Sequence, residues 1–309
     1  TERNIYTRSF EPTDAELELY DALTNYVRSR YSKSEGQHLV LTTLQKEVVS
    51  SPYALEQTID KQLNEQGELT FAEDLQAIQD KIDAIDTVTK IDRLEDIVEE
   101  ARDHVPKGRV IVFTQFLPTL WAVIGRLDEL GYKTHAFHGG LSSSEKEDVV
   151  DDFRENGGIL VSTDAMNEGR NLQFCNVMVN YDLPWNPMKV EQRIGRIHRI
   201  GQKREVYVFN MALEDTIEEY VLEKLFDKID LFQQTVGELS AVLTRLEGDD
   251  RSFEDEVFER LMHADSEVDL ENDFEDMAID LEEQQDLAEK LHEFNNGVFE
   301  GFDLGTTDA

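Results

Sequence analysis

Between Val88 and Gln234 the chain alternates short β-branched runs with amphipathic stretches, and nothing else in it limits the possible folds so tightly. Val110–Phe113, Thr134–Phe137, Ile159–Ser162, Val177–Tyr181 and Val206–Phe209 read as buried strands. Leu117–Leu130, Ser144–Glu155, Met188–Ile197 and Asp215–Phe232 carry helical spacing between or after them. This order is the signature of parallel βαβ units: an α/β fold whose sheet is covered by helices on both faces. Such sheets bind ligands at the carboxyl ends of their strands, so chemistry is expected there.

Helices are expected on either side. From Thr13 to Thr87 apolar residues recur at helical intervals: Leu17, Leu19, Tyr20, Leu23, Tyr26 and Val27, then Leu39–Val49, Leu55–Leu63 and Leu75–Ile85. Thr13-Asp14-Ala15-Glu16 has the form of a helix start, and Ser51-Pro52 breaks the second helix from the third. Residues 1–87 are therefore expected to be a helical insertion, residues 88–235 the α/β domain, and residues 236–309 an acidic helical tail. Phe253, Val257, Phe258, Leu261, Leu281, Leu287 and Leu291 give that tail its sparse apolar spacing, with fraying after Gly297.

The lone cysteine, Cys175, has no internal partner for a disulfide and precedes an apolar run, which predicts a buried thiol. No Cys and His cluster has zinc spacing, and no metal site is expected. No long uncharged apolar run is present, so a cytoplasmic chain with no membrane partner is expected. The opening Thr1-Glu2-Arg3-Asn4 has no signal-peptide pattern and begins as if in mid-sequence, the expected look of a piece of a longer protein.

The formal net charge is -37, from 67 acidic and 30 basic side chains. That balance alone argues against a nucleic-acid binder, which is expected to be basic. Two readings account for it: a surface suited to a salt-rich cytoplasm, or disordered acidic tails. Because Asp and Glu occur from one end of the chain to the other, the halophilic reading is preferred.

Against this background the string QRIGRIHRIGQ, Gln192–Gln202, concentrates Arg193, Arg196, His198 and Arg199, followed by Lys203 and Arg204. Helical spacing puts Arg196 and Arg199 on one side, and Gly195 clears room for a close approach. Two rigid guanidinium forks suit a phosphate chain whose charge must be stabilised during transfer. A basic face paired with neighbouring acids is the alternative. Upstream, a buried strand ends at Ser162-Thr163-Asp164, presenting hydroxyls and a carboxylate at the ligand edge. At the preceding strand end lies FHGG, Phe137–Gly140, where Gly139 and Gly140 would let backbone amides approach a phosphate, with Ser142 and Ser143 nearby.

These strings, in this order, resemble the second RecA-like lobe of the Swi/Snf-type ATPases of helicase superfamily two, including their RNA-polymerase-associated branch. VIVFTQF (Val110–Phe116) is similar to motif IV, ILVSTDAMNEGRNLQFCNVMVNYDLPWNP (Ile159–Pro187) to motif V and the Trp-Asn-Pro signature, and QRIGRIHRIGQ to motif VI. The resemblance covers about half the chain. It implies that Arg196 and Arg199 are arginine fingers directed at ATP held by a first lobe. Gln192 and Arg193 would line the same interlobe surface, with Gly169 and Asn171 near the nucleotide. Asn171 stands where DEAD-box relatives have Asp. Thr163, His138, Gly139 and Gly140 would touch the nucleic-acid backbone.

The sequence contains no Gly-x-x-x-x-Gly-Lys-Ser/Thr phosphate loop and no Asp-Glu pair after a buried strand. ATP and magnesium are thus expected to be held mainly by the first lobe, which becomes the necessary partner. Duplex DNA is the expected track and RNA the alternative, since backbone contacts do not report the sugar. The competing function is a non-catalytic module that binds RNA polymerase or another protein through its acidic helices.

Overall fold

A computed structural model describes residues 3–32, 38–65, 69–105, 108–167, 172–198, 202–226, 252–264, 266, 268–280 and 283. The chain divides into two compact units, Thr1–Pro184 with Lys189–Leu222, and Trp185–Met188 with Glu223–Ala309.

In the first unit, strands β1 (Arg3–Phe10), β2 (Val110–Phe113), β3 (Thr134–Phe137), β4 (Ile159–Ser162), β5 (Val177–Asn180) and β6 (Val206–Leu213) form one sheet in the order β1-β6-β5-β2-β4-β3. Every pairing is parallel. Strands β2, β4 and β5 are buried at every position, which is why they read as apolar runs, broken only at the last residue of β4 (Ser162) and of β5 (Asn180). Helices α5 (Thr89–Asp103) and α6 (Leu117–Glu129) supply much of the core: Ile91, Leu94, Ile97, Val98, Leu120, Val123 and Leu127 join Val110, Val112, Val161, Val177, Val179 and Phe209. Burying such side chains stabilises by roughly 1.5–3 kcal/mol each before ordering costs are subtracted.

Helix α7 (Ser143–Asn156) follows β3, and α8 (Pro187–Ile197) lies between β5 and β6. The α7-to-β4 turn depends on glycine. Gly158 has a φ of +101°, and a Cβ there would lie 2.4 Å from the Lys133 carbonyl oxygen. That same carbonyl accepts the Ile159 amide at 2.8 Å.

Ahead of the helices expected from Thr13 onward, Arg3–Phe10 forms a strand that pairs along its length with β6. Every residue of β1 is only half-buried, so this edge strand lacks the apolar density of a central one. The rest of the segment is helical: α1 (Asp14–Tyr31), α2 (His38–Ser50), α3 (Pro52–Glu65) and α4 (Leu69–Asp83). Thr13 caps α1 through a reciprocal box with Glu16, and the break falls at Ser51. Helix α5 was not anticipated, although Ile91, Leu94, Ile97, Val98 and Ala101 carry its helical spacing.

Polar links join the helical arm to the sheet. Glu16 accepts from the Thr89 amide at 2.8 Å. Buried Lys90 donates to Glu218 at 2.7 and 3.0 Å and to the Val49 carbonyl at 3.1 Å. Burial pushes Glu218 up to about 7 even with Lys90 opposing the shift. Cys175 is buried, its thiol raised to about 11 by burial, as expected of a core residue.

The expected last helix, Asp215–Phe232, is a turn at Ile217–Glu219 running into a π-helical segment, Tyr220–Phe226; residues 227–232 lie outside the described residues. In the second unit Ser252 caps the Phe253–His263 helix, which buries Phe253, Val257, Phe258 and Leu261. A further helical stretch covers 268–280. Leu281, Leu287, Leu291 and Gly297 lie outside the described residues. Among the described residues no helix is long and apolar enough to cross a membrane.

Candidate functional site

Parallel pairing brings the carboxyl ends of all six strands to one edge of the sheet. Two of the expected segments meet there. The Thr163 amide donates to the Phe137 carbonyl at 3.0 Å, and a Cβ on Gly139 would stand 3.9 Å from that of Ala165. His138, Gly139, Gly140 and Thr163 therefore form one continuous strip after β3 and β4. Among the described residues the half-buried Thr163 hydroxyl has no internal hydrogen bond, whereas neighbouring Ser162 donates to the Thr163 carbonyl at 2.8 Å.

Other groups at this edge are engaged internally. The Gly140 amide donates to His138 Nδ1 at 3.2 Å, so this amide reaches an external phosphate only if His138 turns away. Neither Gly139 nor Gly140 has a positive φ; their value is space. Ser142 caps α7, accepting from the Glu145 amide while Glu145 accepts from the Ser142 amide. The Ser142 hydroxyl and amide hold the Glu145 carboxyl below its ordinary range.

The motif-VI helix α8 is two-sided. Val190, Glu191, Arg193, Ile194 and Ile197 are buried; Gln192 is exposed, and Gly195 and Arg196 are half-buried. Gln192, Gly195 and Arg196 are three and four residues apart and so share the outer face. Among the described residues nothing lies within 4 Å of a Cβ built on Gly195. Arg199, Gly169 and Asn171 lie outside the described residues.

Arg193, expected by resemblance to line the interlobe surface with Gln192, is buried in this structure. Its side chain is 0% exposed. Nε donates to Asp164 Oδ1 at 2.8 Å, and Nη1 donates to Asn180 Oδ1 at 3.1 Å and to the Asp182 carbonyl at 2.8 Å. The guanidinium also lies 5.3 Å from the Phe113 ring centroid. Inside, it meets the buried oxygens of Asn180 and Asp182, which need a protein donor, as well as the partly exposed Asp164 carboxylate.

Asp182 is the hub that sequence reasoning missed. Its carboxylate accepts from Ser50 Oγ at 2.8 Å, Thr114 Oγ1 at 2.6 Å and the Gln115 amide at 2.7 Å. A carboxylate directly after an apolar strand was the available signal. At the other side of α8, Arg3 of β1 donates to Glu191 at 3.0 Å and to His198 Nδ1 at 3.0 Å. Burial raises the Glu191 carboxyl, and Arg3 opposes the shift. The helix bearing Arg196 is thus held from the sheet interior by Arg193 and from the sheet edge by Arg3.

Comparison with known proteins bears on the whole domain: residues 89–201 match the family described as helicase conserved C-terminal domain. Over those residues the chain carries a helicase C-terminal domain. It is 36% identical over 269 residues to YqhH of Bacillus subtilis (strain 168), described as an uncharacterized ATP-dependent helicase; the match covers 87% of this chain and 47% of YqhH. It is 40% identical over 109 residues to the RNA polymerase-associated protein RapA of Vibrio campbellii, covering 34% of this chain and 11% of RapA. The chain thus spans about half the length of YqhH and a small part of RapA. Its fold is similar to the C-terminal part of the Fun30 ATPase domain, with a TM-score of 0.53 and 17% identity over 72% of this chain and 89% of that one.

Proposed function

We propose that this helicase C-terminal domain is the second lobe of an ATP-driven translocase on duplex DNA, and that Arg196 and Arg199 act as its arginine fingers. The observation that carries this reading is the outward row Gln192, Gly195 and Arg196 on a helix whose opposite face is locked by Arg193. A rigid helix keeps a guanidinium in place at little ordering cost, which charge stabilisation during phosphoryl transfer requires.

ATP, held by a first lobe, supplies the phosphoryl group transferred to water. Of this chain's residues, Arg196 and Arg199 stabilise charge on the phosphate oxygens, while Gln192, Gly169 and Asn171 line the nucleotide side. Arg193 positions α8 instead of touching the nucleotide. Magnesium is assigned to the first lobe, as the resemblance implies. Thr163, His138, Gly139 and Gly140 take the nucleic-acid backbone. Closure and opening of the lobes then convert hydrolysis into steps.

The test joins this chain to a first lobe and measures DNA-stimulated phosphate release. Arg196→Ala and Arg199→Ala should lower turnover by roughly 10³- to 10⁵-fold with ATP binding nearly intact. Similarity to RapA supports a second reading, docking on RNA polymerase; co-sedimentation with purified polymerase tests it, and absence of a complex rejects it.

A further inference from the structure

The nucleic-acid strip at the carboxyl edge has an apolar border that no motif covers. Helix α6 begins just after the end of β2, with Phe116 as its N-cap, and its outer face carries Leu117 and Trp121, 44% and 49% exposed. Four residues apart, they occupy one helical face. Trp121 lies against His138: the ring centroids are 5.6 Å apart and the planes cross at 67°. That edge contact braces the indole without covering both its faces. Tryptophan ordinarily buries most of its large apolar area. The other tryptophan here, Trp185, is buried.

We propose that Trp121, with Leu117 beside it, is a non-ionic contact for the sugar face of the nucleic-acid strand that runs along His138–Gly140 and Thr163. The proposal rests on the nucleic-acid reading above and adds residues to that site. Two observations select a nucleic-acid strand as occupant. Trp121 continues the strip through direct contact with His138. The chain's net charge of -37 also limits how much affinity ion pairing with phosphate can supply. Apolar contact with sugar carbons escapes that limit, because it releases no counterions and is not weakened as salt rises. A flat indole offers a large contact area at low ordering cost.

Anisotropy of a labelled short duplex, titrated with the chain over a series of potassium chloride concentrations, tests this. Trp121→Ala should weaken binding roughly tenfold at every salt concentration, about 1.4 kcal/mol, leaving the slope of log K against log salt unchanged. Trp121→Phe should retain most of the affinity, a rescue that separates contact from folding. In the wild-type chain, duplex should shield the exposed tryptophan from acrylamide quenching, since buried Trp185 is already shielded. Wild-type affinity in Trp121→Ala, a changed salt slope, or unaltered quenching overturns the proposal. If Thr163→Val then still impairs binding, the nucleic-acid reading survives without Trp121. Failure of the wild-type chain to bind duplex at any salt removes both. Shielding that follows protein concentration without duplex assigns the strip to a second copy of the chain and also overturns the proposal.

Discussion

Arg193 Nε donates to Asp164 Oδ1 at 2.8 Å while no part of the Arg193 side chain reaches solvent. One guanidinium thereby ties the motif-VI helix to the end of β4, and its Nη1 ties the same helix to β5 through Asn180 and Asp182. Because the same helix carries the half-buried Arg196, buried Arg193 fixes the backbone from which Arg196 extends.

Removing the Arg193 guanidinium leaves Asp164 and Asp182 without their cation. Arg193→Ala should cost about 3–5 kcal/mol in urea unfolding, the range for breaking a buried charge network. Arg193→Lys should also destabilise, since one ammonium cannot reproduce a planar fork spanning three acceptors. A loss below about 1 kcal/mol in both variants would contradict the clamp.

Lys90 offers an independent check on the buried pair that joins α5 to the turn after β6. Lys90→Met leaves Glu218 buried alone and should cost about 3–5 kcal/mol, whereas Lys90→Met combined with Glu218→Gln should recover part of that loss. A double-mutant cycle in denaturant measures it, and strict additivity would show the pair to be uncoupled.

Glu47 predicts a pH dependence. Burial raises its carboxyl to about 8, against which the Thr58 hydrogen bond acts only partly. One carboxylate oxygen accepts from Thr58 Oγ1 at 2.8 Å and the other is buried without a hydrogen-bond partner. The folded state binds this proton more tightly than the unfolded state, so the contribution is complete below about pH 4.5 and is lost as pH rises through about 8. Glu47→Gln should abolish that loss. Melting temperatures of both forms should diverge with rising pH across this window, the variant becoming the more stable; parallel curves would refute the assignment.

The central sheet was legible because β2, β4 and β5 are buried on both faces, which leaves runs such as Val110–Phe113 without a polar break. Strand β1 was not, since RNIYTRSF at a half-solvated edge has no such run and its partner lies some 200 residues away in sequence. At the site, the order of FHGG, Thr163 and QRIGRIHRIGQ pointed to one edge, and the structure joins the first two there. The inward turn of Arg193 was hidden because periodicity assigns a face, and the oxygens of Asp164, Asn180 and Asp182 that draw it in come from distant segments.

The acidic composition predicts that salt stabilises the fold. Repulsion among carboxylates acts over about 30 Å at 0.01 M salt and only about 3 Å at 1 M. Melting temperature should therefore rise between about 0.1 and about 2 M potassium chloride. A flat or falling curve would assign the charge to another cause, such as a surface for a basic partner.

Phosphate release bears most directly on the central claim. The chain alone should hydrolyse ATP no faster than buffer, with or without duplex DNA, because its sequence has no phosphate loop. Joined to a first lobe, it should show DNA-stimulated turnover that falls by roughly 10³- to 10⁵-fold in Arg196→Ala and in Arg199→Ala while nucleotide binding persists. DNA-stimulated hydrolysis by the chain alone, or wild-type turnover in both arginine variants, would contradict the account.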